Sequence, residues 1–408
     1  MYILEAGLEY LLSIMVCGSF LATMTKELGM SDSLTGILSS IISMGCLFQL
    51  LSMSLRPRRT KPMVIALSIT NQILFALLYI IPLAGFGRQT KTALFIVTII
   101  AAYFFYNLAH PKKINWMMSL VDDHHRGRFT ANKEIISLLA GMVFSFGMGA
   151  VTDHFVAVGQ IRVAFVISAA VLLLLTAGHT VSMLLTVEKP LPKAPKSNLK
   201  NNIKGVLRNK SVMSVTCLFV IYYISTNCYS PFLGTYYINE LGFNLKTVTG
   251  LGIAGSIARI SVSRFWGKYA DKNSFSVMLE KCYLILLLDR LCVVLSMPST
   301  GIVTVTLHII LNAIAMGGVN SAMINLVFDY IEPEKRADSL AICQAAAGSV
   351  GFVTTLIASL VVSAMQARGN TLFGVTVYAQ QLLGFVSLMI ILVAIVYNRK
   401  MIMKSERA

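Results

Sequence analysis

The chain has 408 residues, of which 56% are hydrophobic and only 13% charged, with a mean hydropathy of +0.73. A soluble domain carries about twice that share of charge, so lipid is the solvent for most of this chain and no large soluble domain fits. The net charge of +16 would point to nucleic acid in a soluble protein, but its placement assigns it to topology instead.

A membrane-spanning helix needs about 20 mostly apolar residues. Apolar runs of that length fall at 6–26, 33–55, 62–86, 92–120, 132–154, 162–186, 211–238, 246–268, 275–297, 301–328, 339–365 and 376–397. The first run follows Glu5 and Glu9 rather than a basic segment, so it reads as a span and not a cleavable signal. Turn and charge signals mark the seams at 56–61, 85–88, 122–128, 297–301 and 331–336. The alternating ten-residue strands of a membrane barrel are absent, and isolated strands would leave backbone groups unpaired in lipid. The expected fold is an all-α membrane protein of twelve transmembrane helices in two pseudo-symmetric six-helix bundles.

Residues 187–210 differ from their surroundings, with Lys189, Lys193, Lys196, Lys200, Lys204, Arg208 and Lys210 interleaved with Pro190, Pro192 and Pro195. They divide the chain into 1–186, a basic linker, and 211–408. The linker suits either a solvated loop or a short helix on anionic headgroups. With the amino terminus inside, the inside loops and tail hold 23 basic residues and the outside loops only 6. Basic residues concentrate on the cytoplasmic side, so both termini are expected there, in the cell membrane. This accounts for the charge without a nucleic-acid partner. The seven cysteines sit mostly in apolar runs without CxxC or Cys/His clustering, and read as packing residues.

The two halves share an internal repeat. Phe20, Thr23, Glu27, Gly29, Thr35 and Gly36 recur as Phe232, Thr235, Glu240, Gly242, Thr249 and Gly250, at an offset of 212 to 214 residues. Parallel repeats of this kind are a known transporter architecture. The segment Gly267, Asp271, Lys272, placed between the eighth and ninth spans, and the fourth inside turn with Trp116, Leu120, Val121, Arg126 and Arg128, carry a resemblance. Through them the chain resembles the major facilitator superfamily over essentially its whole length, in a bacterial twelve-span subgroup. The first-half counterpart, 56–61, lacks the glycine and the acid, and Asn273-Ser274 replaces the usual Gly-Arg. In the motif, glycine would let helices approach and the aspartate would meet a helix amino end.

Polar side chains inside lipid need a reason. On the fourth span Tyr103, Tyr106, Asn107 and His110 share one face, with Lys113 at its edge. On the seventh, Tyr222, Ser225, Thr226 and Tyr229 repeat that spacing before Pro231, a candidate kink. On the tenth, Thr304, His308 and Asn312 align, and on the first, Glu9 and Ser13. The resemblance implies that these four spans line a central cavity. Helix–helix hydrogen bonding is the alternative for each face, and Asn71-Gln72 and Gln380-Gln381 show that polar residues also occur elsewhere. Glu9 and Lys113 fall at similar depth and are a candidate coupling pair. Lys113 could instead snorkel to the headgroups. Asp289 and Arg290 lie deep in the ninth span, and Arg259 in the eighth. Adjacent helix residues do not face each other, so Arg259 is the candidate partner of Asp289, in a structural ion pair.

The sequence contains neither a phosphate-cradling Gly-Lys-Ser/Thr loop nor HExxH, so no enzyme activity and no cofactor or metal is expected. The function expected is secondary active transport of a small polar or amphipathic solute by a monomer, driven by a proton or sodium gradient or by the solute alone. The alternative is a membrane sensor or scaffold that keeps the fold without transport.

Overall fold

The protein is described by a computed structural model over residues 2–54, 59–118, 120, 126–188, 209–329 and 336–403. Most of the 187–210 linker and the turns around 122–125 and 331–335 lie outside the described residues. The apolar runs fold as helix, since lipid requires each backbone group to be satisfied within its own segment. In chain order the helices are α1 (Tyr2–Ile14), α2 (Gly18–Glu27), α3 (Asp32–Ser39), α4 (Ile41–Ser54), α5 (Thr60–Ile80), α6 (Arg88–Met118), α7 (Arg126–Ala157) and α8 (Ile161–Leu185). They continue as α9 (Lys210–Asn227), α10 (Leu245–Asn273), α11 (Phe275–Val294), α12 (Gly301–Asp329), α13 (Arg336–Ala367) and α14 (Ala379–Tyr397).

Nine helical stretches among the described residues are long and apolar enough to cross a membrane. The other three runs fall short for visible reasons. The second is interrupted at Ser40, between α3 and α4. The eighth carries Arg259 and Arg264 among serines and threonines, and the ninth carries Glu280, Lys281, Asp289 and Arg290. The first run is broken at 15–17, between α1 and α2. The seventh stops at Asn227 and continues through a 3-10 turn at Ser230–Phe232, which holds Pro231, into a π turn at Tyr236–Glu240. A two-residue-stranded hairpin, Thr371–Leu372 with Val375–Thr376, joins α13 to α14. Its turn residues Phe373 and Gly374 both have positive φ, the mirror-image geometry that suits tight hairpins.

The chain divides into two compact units, Met1–Pro195 with Phe243–Gly250, and Lys196–Gly242 with Leu251–Ala408. In the first, α1 packs on α7 and α8, α5 on α6 and α8, and α4 on α6. In the second, α9 packs on α13 and α14, and α11 on α12 and α14. Trp266 of α10 reaches α12, donating from Nε1 to Ile314 O at 2.8 Å. Span for span, the first unit's partnerships recur in the second. The repeated turns match as well. Gly29 and Gly242 both take left-handed φ, +64° and +70°, and two residues later Ser31 and Asn244 cap the following helix at 3.2 and 2.8 Å.

Within the first unit, Lys61 and Glu188 lock α5 to the end of α8. Glu188 Oε1 accepts from the α5 amides of Thr60 and Lys61 at 2.7 and 3.1 Å. Lys61 Nζ donates to Leu184 O and Thr186 O, at 2.7 and 2.8 Å. An acid thus meets a helix amino end and a base a carboxyl end, as the helix dipole favours. The second unit's core gathers Trp266, Leu279, Tyr283 and Leu286 around Phe219 and Ala322, while Val143, Leu174 and Leu360 stay exposed as apolar surface.

The 267–272 motif is not a loop. It occupies the end of α10, with Gly267 exposed and no described residue within 4 Å of where a Cβ would stand. Close approach falls at Gly318, whose added Cβ would sit 3.2 Å from Trp266. Lys272 is exposed, and the Asp271 side chain lies outside the described residues.

Candidate functional site

In the first unit the candidate residues converge on Lys113. This lysine lies near the end of α6, with a side chain only 4% exposed, and its ammonium meets two carboxylates of α1. Glu5 Oε1 stands 3.1 Å away, and Glu9 Oε1 is the second partner. The α1 spacing of four residues puts both acids on one face. Glu5 is fully buried, whereas the Glu9 side chain is 23% exposed. Snorkelling does not describe Lys113, because its head is enclosed by acids rather than released to water.

Behind Glu5 the network continues into residues that sequence reasoning missed. His179 Nε2 of α8 lies 2.9 Å from Glu5 Oε1, and Gln72 Nε2 of α5 lies 2.8 Å from His179 Nδ1. Gln72 follows Asn71 on α5, and His179 shares a buried face of α8 with Ser168, Thr176 and Ser182, so small polar neighbours surround both and spacing singles out neither within its own segment. The usable signal was Gln72 itself, a polar residue in the third span.

The fourth-span face divides between two uses. Tyr103 packs edge-on against Phe75 of α5 at 5.5 Å. Asn107 donates from Nδ2 to Tyr103 O at 2.8 Å and accepts from Gln49 Nε2 of α4 at 3.0 Å. It lies against Gly45, where a Cβ would collide with its amide. Those two residues bond helix to helix. Tyr106 and His110 instead stack at 5.0 Å, and His110 Nδ1 is buried without a hydrogen-bond partner. Ser13 turns back to its own helix at Tyr10 O.

In the second unit, Asp289 is the hub. Its partners are Arg290, which donates from Nη1, His308 Nδ1 at 2.5 Å and Asn312 Nδ2 at 3.4 Å. Asp289 thus takes its own chain neighbour Arg290 as a partner, a pairing the sequence reading set aside. A long guanidinium can fold back on the adjacent carboxylate when both are fully buried and no water competes. Arg290 also donates from Nε to Ser387 Oγ at 2.9 Å and lies over the Tyr229 ring at 4.4 Å. His308 approaches Tyr229 edge-on at 6.3 Å. Asp289 and Arg290 thus join the polar faces of the seventh and tenth spans.

The remaining members are more ordinary. Tyr222 stacks on Tyr283 at 5.9 Å and donates to Met316 Sδ at 3.0 Å. Ser225 bonds Ser387 at 2.8 Å. Thr226 is half-buried one turn beyond Tyr222, and Thr304 bonds its own helix at Thr300 O. Arg259 is half-buried on α10. Asn71 donates to Ala102 O, and Gln381 to Val294 O and Ser296 O, so these polar residues tie helices together.

The family model of the Major Facilitator Superfamily matches residues 6–356. No curated protein sequence matches the chain. Among solved structures, the chain is similar to the nucleoside transporter NupG, with a TM-score of 0.72 and 12% identity over 98% of each chain. It is similar to an auto-inhibited POT family peptide transporter, with a TM-score of 0.70 and 12% identity over 98% of this chain and 96% of that one. A D-xylose–proton symporter gives a TM-score of 0.67 and 11% identity over 95% of each chain. At these identities the likeness concerns the fold.

Proposed function

The chain belongs to the Major Facilitator Superfamily, a superfamily of transporters rather than enzymes, and on that premise we propose that it is a secondary active transporter driven by a cation gradient. It moves a small polar or amphipathic solute by alternating access of two six-span halves, 1–186 and 211–408. It acts as a monomer in the cytoplasmic membrane with both termini inside, in keeping with the 23 to 6 asymmetry of basic residues.

The observation that carries this reading is Lys113 between Glu5 and Glu9. Charged groups inside lipid are costly and mark ion or substrate pathways. Two acids around one base form a site whose charge changes when a cation binds, and this is what coupling to a gradient requires. Proton and sodium both satisfy that count. For the solute, Tyr106 and His110 of the first unit offer stacking and hydrogen bonding, which suits nucleosides, small peptides and sugars. These are the solute classes named for the nucleoside transporter, the peptide transporter and the xylose symporter of similar fold.

Reconstitution in liposomes tests the proposal. Labelled nucleosides, dipeptides and D-xylose are screened for uptake under an imposed pH or sodium gradient. Gradient-driven accumulation of one solute is expected. Binding without flux across the whole panel would overturn transport and leave a sensor.

A further inference from the structure

The network behind Lys113 carries one more inference, which rests on the coupled-transport reading above. His179 has two partners, Glu5 from α1 and Gln72 from α5, and Lys113 of α6 faces it only across Glu5. Glu5, His179 and Gln72 are each buried, at 0%, 0% and 2% exposure. Counted over the described groups Glu5, Glu9, Lys113 and a neutral His179, the surplus is one negative charge, and Lys133 of α7 is the further base near them. Buried charge without compensation is expensive and is relieved by neutralisation.

The cluster is short of hydrogen as well as of positive charge. Among the described residues, Glu5 Oε2 and Gln72 Oε1 are both buried acceptors without a donor. A neutral His179 uses Nε2–H toward Glu5 and leaves Nδ1 to accept from Gln72 Nε2. The Gln72 amide can present either end to Nδ1. Turned over, its oxygen accepts from a protonated Nδ1 at the same place. A hard cation such as sodium is held by several oxygens, whereas Glu5 Oε1 is approached here by the nitrogens of Lys113 and His179.

We propose that the coupling cation is a proton, held deep in the first unit by His179 against Glu5 and not by the more open Glu9. A hydronium ion gives one proton to the Nδ1 lone pair and leaves as water. The Gln72 amide turns its oxygen toward the new N–H, Nε2–H stays on Glu5, and the group of Glu5, Glu9, Lys113 and His179 goes from one negative charge to none. The imidazolium then satisfies Glu5 and frees Lys113 to pair fully with Glu9. Loading the buried site thereby neutralises the carboxylate that remains open, linking an interior proton to a contact at the accessible end.

Nitrogen-15 histidine NMR of the full chain in nanodiscs reads this without a known solute. The His179 signal is the one lost in His179→Gln, or, if that variant does not fold, the one moved by Gln72→Leu. Two distinct ring nitrogens should merge into an imidazolium pattern as the pH is lowered, and Glu5→Gln should lose that pattern. A ring that stays in one neutral tautomer throughout overturns the proposal. In liposomes, His179→Gln should lose at least tenfold in pH-driven accumulation. Full pH-driven accumulation in that variant also overturns it. Should the wild type carry no solute, transport itself fails, and the ring titration still decides the proton site.

Discussion

Lys113 Nζ lies 3.1 Å from Glu5 Oε1, and that distance ties an interior lysine to the least exposed acid of the first span. The second acid, Glu9, keeps 23% of its side chain exposed. Lys113→Gln strands both carboxylates, and breaking a buried pair by removing one partner costs about 3–5 kcal/mol. Glu9→Gln costs less, because Glu5 still pairs with the lysine and water reaches position 9. Thermal unfolding in detergent should rank the variants in that order. Both variants should also lose gradient-driven accumulation. Unchanged accumulation in both would sink the coupling role of the pair.

Asp289 is the matching liability in the second unit. Asp289→Leu leaves the Arg290 guanidinium buried over Tyr229 without its carboxylate. The loss should again approach about 3–5 kcal/mol, whereas removing both charges together is often neutral. The double variant Asp289→Leu with Arg290→Met should therefore unfold at a higher temperature than Asp289→Leu alone. Additive losses would show that the two side chains do not depend on each other.

What the sequence made legible follows from where each signal resides. Twelve apolar runs and the repeat of Glu27-Leu-Gly29 in Glu240-Leu-Gly242 are properties of single segments, and they read directly. Glu9 and Lys113 could be paired because each sits at a definable depth on a definable face. His179 and Gln72 could not, since their helices carry several small polar residues and only tertiary packing shows which of them meet across helices. Asp289 and Arg290 misled for a different reason. The rule that helical neighbours face apart describes Cβ directions, and a long guanidinium in a buried setting can reach back across them. Gly267 was read from a motif, while no described residue lies within 4 Å of where its Cβ would stand.

Asn107 and Gly45 give a prediction about packing rather than charge. A side chain at position 45 would enter the Asn107 amide, which is held by Gln49 and Tyr103. Overpacking a fixed site costs about 1–3 kcal/mol, so Gly45→Ala should lower the unfolding temperature. Asn107→Ala alone should also destabilise, because it leaves the Gln49 amide without its acceptor. In the Asn107→Ala background, Gly45→Ala should cost almost nothing, since the obstruction is gone. Equal costs in both backgrounds would place the strain elsewhere.

Gly29 and Gly242 test the repeat at the level of one turn. Both have φ in the left-handed region, +64° and +70°, where an L side chain costs roughly 1–2 kcal/mol. Their surroundings differ. Open space lies where a Cβ would stand at Gly242, whereas at Gly29 the Arg88 guanidinium carbon would be 2.7 Å away. Arg88 also donates to Gly29 O, a bond that a displaced guanidinium gives up. Alanine at 242 should thus cost only the backbone strain. Alanine at 29 should cost that strain plus about 0.5–1.5 kcal/mol for the lost hydrogen bond. The comparison is made by thermal unfolding, with and without Arg88→Ala. In the Arg88→Ala background the two glycine variants should converge, because only the shared turn geometry remains. If Gly29→Ala stays the more costly there, the repeated turns are not equivalent and the difference does not come from Arg88.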